Sequence, residues 1–262
     1  MRLSARHALV TGASRGIGAA VAVELASRGA AVTLVARSAE PLAELAGQLG
    51  GRILLADLAE PGQRADLIRR AEAAGGPIDV LVNVAGLDAV GSTLQMSADQ
   101  MSGLFSVNLL APAELCRQVL PGMLDRGRGH VVNVSSGFST ILAAGLTSYC
   151  SSKAGLSHFT AGLRVELTGT PVGVTLVELG PVRTSMYDTI EAHRLTGPAL
   201  ARLIRMRLAV EVSADEVARQ LADGVEEGRA HVVLPRRMRP VTAFTHVPRS
   251  VARVLLSGLP RR

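Results

Sequence analysis

The chain has 262 residues, 48% of them hydrophobic and 19% charged, which is enough apolar material for one full α/β core. Its formal charge of +6 is confined to one end: residues 229–262 carry Arg229, Arg236, Arg237, Arg239, Arg249, Arg253, Arg261 and Arg262 and no acid, so residues 1–228 sum to −2. With no Trp, two Tyr and four Phe there is little for a base to stack on, which excludes a nucleic-acid binder.

The early arginines precede only a brief apolar stretch before a glycine-rich turn, unlike a secretory leader, and no run approaches the roughly 18 apolar residues that a membrane span requires. Cys116 and Cys150 read as reduced thiols without metal-ligand spacing, so a cytoplasmic enzyme with no metal is expected.

Short β-branched or apolar runs alternate with longer amphipathic stretches, the pattern of successive βαβ units. In chain order the sequence predicts a strand at 7–10, then a helix on which Ile17, Val21 and Leu25 recur and which Gly29 closes. A strand at 31–36, a helix at 39–48, a strand at 52–56, a helix at 63–74 and a strand at 78–83 follow. One long helix at 97–119 leads to a strand at 129–135, a helix at 148–167, a strand at 172–179, a helix at 214–227 and a last strand at 231–234. Residues 184–212 leave this alternation and are mostly apolar, with Met186, Tyr187, Ile190, Leu195, Leu200, Leu203, Ile204 and Met206. The expected fold class is α/β, a doubly wound seven-stranded parallel sheet flanked by helices, as a single domain over residues 1–239. Residues 240–262 form a basic amphipathic tail in which Val251, Val254, Leu255 and Leu259 share a helical face beside Arg249 and Arg253. Such a tail suits docking on its own subunit or oligomer, the reading we favour, or peripheral contact with a membrane.

Two features carry chemistry. Thr11-Gly12-Ala13-Ser14-Arg15-Gly16-Ile17-Gly18 joins the first strand to the first helix, where glycines let the backbone approach a pyrophosphate that the helix amides stabilise; the alternative is a structural turn alone. Its spacing is Gly-x-x-x-Gly-x-Gly, not the general Gly-x-Gly-x-x-Gly. Lysine occurs once among 28 basic residues, as Lys153, four positions after Tyr149. On a helix that spacing puts both on one face, where the cation should lower the phenol pKa; otherwise it is a surface lysine left by drift.

With further segments in order, residues 5 to about 235 resemble the short-chain dehydrogenase/reductase family. Ala56-Asp57-Leu58 looks like its adenine-contacting acid. Asn83-Val84-Ala85-Gly86 resembles Asn-Asn-Ala-Gly, with Val84 for the second Asn. Ser136 precedes Tyr149 by 13 residues, and Leu179-Gly180-Pro181-Val182-Arg183-Thr184 resembles Pro-Gly-x-Val-x-Thr, with Leu179 for Pro. The resemblance implies a Rossmann-type fold and a cofactor site of Gly12, Ser14, Arg15, Gly16, Ile17, Gly18, Arg37, Asp57, Leu58, Asn83, Ala85, Gly86, Gly180, Val182 and Thr184, together with Tyr149 and Lys153. It implies Tyr149 as general acid or base, Lys153 on the nicotinamide ribose, Ser136 on the substrate oxygen, and Asn108 holding a relay water. Three of these have plainer alternatives: Asp57 as a helix cap, Asn83 as a tie between strands, and Asn108 as a polar residue that kinks its helix.

The second strand ends in Val35-Ala36-Arg37-Ser38, without the acid that would bind an NAD ribose, and Arg37 is a fork suited to a 2′-phosphate unless it is only a solvated helix-start residue. NADP (NADPH) is therefore expected. The expected activity is hydride transfer between the nicotinamide and a carbonyl or secondary alcohol, a lipophilic ketone or aldehyde held under a 184–212 lid. The alternatives are a non-catalytic NADP-sensing module, for which four intact catalytic positions would have no use, or a 3-oxoacyl thioester reductase of the same family. Epimerases and dehydratases of the family usually have longer substrate domains. His231-Val232-Val233-Leu234-Pro235-Arg236-Arg237 looks more like the retinol and hydroxysteroid dehydrogenase branch than the acyl-carrier-protein reductases. The helices at 97–119 and 148–167 match the family's dimer and tetramer contacts, so a homodimer or homotetramer is expected, cytoplasmic and, if the tail binds lipid, peripheral to the membrane.

Overall fold

Alternation along each strand sends Ala8 and Val10 to one face of the sheet and Leu9 to the other, and both faces are buried, as parallel strands joined by helices require. The computed structural model describes residues 1–88, 90–194, 196–205 and 210–239, apart from the side chains of Ser185, Met186, Ala199, Leu200 and Leu203. The lid positions Leu195 and Met206 and the predicted tail over 240–262 lie outside the described residues.

The elements run β1 (His7–Thr11), α1 (Gly16–Ser27), β2 (Ala31–Ala36), α2 (Ala39–Leu49), β3 (Arg52–Leu55), α3 (Pro61–Arg64), α4 (Leu67–Gly75), β4 (Val80–Asn83) and α5 (Ala98–Phe105). A π-helical turn (Ser106–Leu110) leads to α6 (Ala111–Asp125), β5 (Gly129–Ser136), a 3-10 turn (Gly137–Ser139), α7 (Thr147–Glu166) and β6 (Val172–Leu179). The chain continues through α8 (Ser185–Ala192), α9 (Thr196–Arg205), α10 (Ala214–Glu227) and β7 (His231–Leu234). The strands form one parallel sheet in the order β3-β2-β1-β4-β5-β6-β7, the expected doubly wound arrangement. Helices α1, α2 and α10 cover one face, and α4, α6 and α7 the other. Crossing from β1 to β4 reverses the winding and opens a crevice at the C-terminal strand ends, where such sheets bind ligands.

The predicted single helix at 97–119 is instead α5, a π turn and α6. Pro112 accounts for the break: without an N–H it cannot donate to the carbonyl of Asn108 four residues earlier, so the regular ladder fails there. The predicted helix at 63–74 also divides, because Arg64 turns inward and donates from Nη1 to the carbonyls of Leu58 (2.8 Å) and Ala59 (3.2 Å). In the apolar stretch at 184–212 the structure contains α8 and α9.

Buried polar groups pin the register. His130 on β5 lies opposite Gly173 on β6, whose missing side chain leaves space for the imidazole, and its Nε2 is 2.7 Å from the Thr175 hydroxyl. Burial holds the imidazole down at about 4. The unfolded chain takes up this proton near 6.5, so the neutral folded histidine favours the fold fully above that pH and its contribution is lost as pH falls from about 6.5 towards 4, by up to ~3 kcal/mol. Urea midpoints should therefore fall less steeply below neutrality in His130→Gln than in the unaltered protein; parallel curves would contradict this.

Candidate active site

The glycine-rich turn is built on close contact. Gly12 and Gly16 adopt positive φ of 68° and 57°, which a side chain would strain. A Cβ on Gly12 would stand 2.8 Å from the Ala85 Cα, and one on Gly18 would strike the Gly12 carbonyl. Thr11, quoted in the motif but given no role from sequence, accepts from the amides of Val84 and Ala85 at 3.1 Å each and so fixes the end of β4 against the turn. Ser14, Arg15 and Ile17 lie on this turn and the first turn of α1, where no side chain among the described residues caps the helix.

At the other end of the crevice, Arg37 and Asp57 are 3.6 Å apart at the ends of β2 and β3. The Asp57 carboxylate accepts from the Ala59 amide at 2.9 Å, forming a local turn, while Glu60 is the N-cap of α3. Leu58 is buried in the core. Asn83 is also buried, donating to Asn133 Oδ1 at 2.8 Å, which matches its plainer reading as a tie between strands.

Ser136, Tyr149 and Lys153 line one cleft with Ile17, Gly86, Gly180, Val182 and Thr184. Ser136 ends β5; its Oγ accepts from the Phe138 amide at 3.2 Å and donates to the Leu179 carbonyl at 3.5 Å, on the same cleft wall as the Tyr149 phenol. Tyr149 and Lys153 share a face of α7. Among the described residues, the one hydrogen bond of Lys153 Nζ runs to the Val134 carbonyl at 3.1 Å, leaving two of its three protons for the cleft. Asn108, fully buried in the π turn, donates from Nδ2 to Leu87 O (2.9 Å) and Ser152 Oγ (3.0 Å) and accepts from Leu87 N at 2.8 Å. Its amide thus clamps the segment that follows β4.

The expected lowering of the phenol by Lys153 is corrected by the structure. Burial pushes Tyr149 up to about 12, with the Ser136 hydroxyl opposing the shift and Cys150 and Asp88 reinforcing it. The same burial pulls Lys153 down to about 8. Desolvation dominates both shifts, and Lys153 is not among the groups that act on the Tyr149 phenol. Asp88, absent from the sequence-based set, has its own carboxyl raised by burial, with Arg15 among the groups opposing that shift.

Apolar walls complete the cleft. Phe138, Tyr187 and Ile190 line it, and Tyr187 turns its hydroxyl away to donate to Glu211 Oε1 at 2.8 Å. Glu211 also accepts from Arg183 Nε at 2.6 Å, and Val182 bridges to Val212, so both ends of the 184–212 segment are anchored together. Thr184 caps α8 and packs close against the turn: a Cβ on Gly16 would lie 3.3 Å from its Cγ2. The uncapped α1 amides, the bare glycines and the two remaining Lys153 protons fit a nicotinamide dinucleotide.

The sequence profile of a family described as short chain dehydrogenase matches residues 6–195. The ketoacyl reductase HetN of Nostoc sp. is 38% identical over 205 residues, 76% of this chain and 70% of that protein. A metagenomic short-chain oxidoreductase solved in complex with NADP aligns with a TM-score of 0.72 at 32% identity, over 89% of this chain and 98% of that one. A short-chain dehydrogenase/reductase from Burkholderia phymatum solved in complex with NAD aligns with a TM-score of 0.81 at 25% identity, over 92% and 93%. Sequence profile, relatives and sheet topology agree that the chain belongs to the short-chain dehydrogenase/reductase family of oxidoreductases.

Proposed function

We propose that the protein is an NADP-dependent carbonyl reductase or alcohol dehydrogenase acting on a lipophilic ketone, aldehyde or secondary alcohol. The observation that carries this reading is the convergence of Ser136, Tyr149 and Lys153 on one apolar-walled cleft beside the glycine turn. When bound, the nicotinamide supplies or accepts a hydride. Tyr149, held protonated by burial, gives its proton to the substrate oxygen as that oxygen gains charge, and takes it back in the oxidative direction. Ser136 donates a hydrogen bond to the same oxygen. Lys153 directs its two remaining protons at ribose hydroxyls, Asn108 keeps the Leu87 backbone in place, and a water held at Asn108 continues the proton relay from Lys153 to solvent.

The Arg37 guanidinium, 63% exposed at the end of β2, and Arg15 in the turn supply charge for a 2′-phosphate, and Asp57 and Leu58 adjoin the adenine. Ketoacyl reductase activity, named for one relative, favours a second reading in which an oxoacyl thioester enters the same cleft. The catalytic domain spans residues 1–239 with its lid at 184–212, and the protein is a cytoplasmic homodimer or homotetramer whose basic tail docks on protein or on anionic lipid.

A panel of ketones and aldehydes tested with NADPH by loss of nicotinamide absorbance checks the reaction; binding without turnover of any member would favour a sensing module. Tyr149→Phe should lower kcat by about 10²–10⁴-fold while sparing NADPH binding, and Lys153→Arg by about 100-fold because its wide fork misplaces the ribose. Full activity in either variant would refute the assignment. Arg37→Ala should weaken NADPH binding by about 10–100-fold and leave NADH unchanged, whereas equal losses for both cofactors would contradict the phosphate role.

The directions of the two shifts set the pH dependence. Oxidation needs Tyr149 as phenolate and should climb steadily from about pH 7 to 10, whereas reduction should hold until Lys153 loses its proton near about 8 and then decline. Stopped initial rates in both directions measure this, and an oxidation rate flat across that range would count against Tyr149 as the base.

A further inference from the structure

Glu178 sits on β6 between Val177 and Leu179 and is 3% exposed. An ionised carboxylate in such a place is costly unless donors surround it. Three do. Ser139 Oγ donates to its Oε1 at 2.6 Å, Ser157 Oγ reaches the same oxygen at 3.3 Å, and His231 Nε2 lies 2.7 Å from its Oε2. Because a carboxylate only accepts, the His231 nitrogen facing it carries the proton.

Each serine lies on, or directly follows, an element that carries a proposed catalytic group. Ser139 closes the 3-10 turn that begins immediately after Ser136. Ser157 lies four residues beyond Lys153 and eight beyond Tyr149 on α7, on the face that carries both. Ser135, opposite Glu178 in the β5–β6 register, is 2.8 Å from Ser157 Oγ and donates to the Lys153 carbonyl at 3.0 Å. With that proton used, the single Ser157 proton is shared between Ser135 and Glu178. One carboxylate therefore links the strand end holding Ser136, the helix holding Tyr149 and Lys153, and the outer strand β7.

We propose that Glu178 is a positioning residue for the reaction read above: by holding Ser139 and Ser157 to one buried carboxylate backed by His231, it fixes Ser136 relative to Tyr149 and Lys153. Its catalytic meaning rests on that reading, but its geometry is measurable without any substrate. The chain has two tyrosines, so protein labelled with carbon-13 at tyrosine Cζ gives two resonances, assigned by Tyr187→Phe.

In Glu178→Leu the Tyr149 resonance should move, and kcat for reduction of 9,10-phenanthrenequinone by NADPH should fall by about 100-fold with the NADPH Kd unchanged. Glu178→Gln keeps an acceptor for both serines and can donate to a neutral His231, so it should restore the resonance and most of the turnover. Should Glu178→Leu fail to fold, the Ser139→Ala/Ser157→Ala double variant should move the same resonance. An unmoved Tyr149 resonance in folded Glu178→Leu or in the double variant, or a lowered Tm with unchanged kcat, would overturn the proposal. An unaltered protein inert towards the quinone counts against the proposed reduction alone, and the resonance still decides the role of Glu178.

Discussion

The side chain of Asn133 is the junction on which the site hangs. Fully buried on β5, it accepts from Asn83 on β4 at 2.8 Å and donates to Thr160 on α7 at 2.9 Å. A buried amide left unpaired costs about 1–3 kcal/mol, so its three elements cannot slide independently. Thr160 follows Lys153 by seven residues and Tyr149 by eleven, whole turns of one helix face. Fixing Thr160 against β5 therefore sets the height and rotation at which Tyr149 and Lys153 meet Ser136, three residues further along the same strand.

Burial that secures this geometry also determines its chemistry. A surface Tyr-x-x-x-Lys pair would be governed by mutual attraction, with the cation lowering the phenol. Inside the cleft both groups are desolvated, and each is pushed towards its neutral form: Tyr149 up to about 12, Lys153 down to about 8. At neutral pH the phenol keeps its proton and the ammonium its charge. That combination leaves the phenol a proton donor at neutral pH. Cys116, beside Asn83 and Asn133, shows the same effect without a reaction to serve, its thiol raised to about 12 by burial.

Short β-branched or apolar runs and the glycine punctuation between them made all seven strands legible, because a parallel sheet buried on both faces leaves few alternatives for such runs. Boundaries moved by a residue or two: β1 extends to Thr11, β4 begins at Val80, and β5 reaches Ser136. What escaped the sequence was the cost of leaving regular ladders. The helical pattern over 97–119 is intact as periodicity, yet Pro112 removes the donor that the Asn108 carbonyl needs, and a π turn results. Local reading also saw an acid at Asp57 and an amide at Asn83, but neither residue announces that its partner would be Arg37 or Asn133; those pairings arise from strand order. Glu178 is the extreme case, a charge within a strand of valines whose partners come from three distant segments.

The chain uses arginine at every basic position except one, and the packing around Lys153 explains the exception. Its Nζ lies within reach of the Val134 carbonyl, and a Cβ added to Gly86 would stand 3.4 Å from both Nζ and Asn108 Oδ1. The space at the end of the lysine stem is thus bounded by backbone on two sides and by an amide already bonded to Leu87 and Ser152. A guanidinium would bring five donors in a rigid plane to a place where the Val134 carbonyl is the acceptor at hand, whereas an ammonium turns three donors about a single point. Gly86 thus borders the ammonium: a methyl group there would just touch Nζ, and only a longer side chain would enter the space the ammonium occupies.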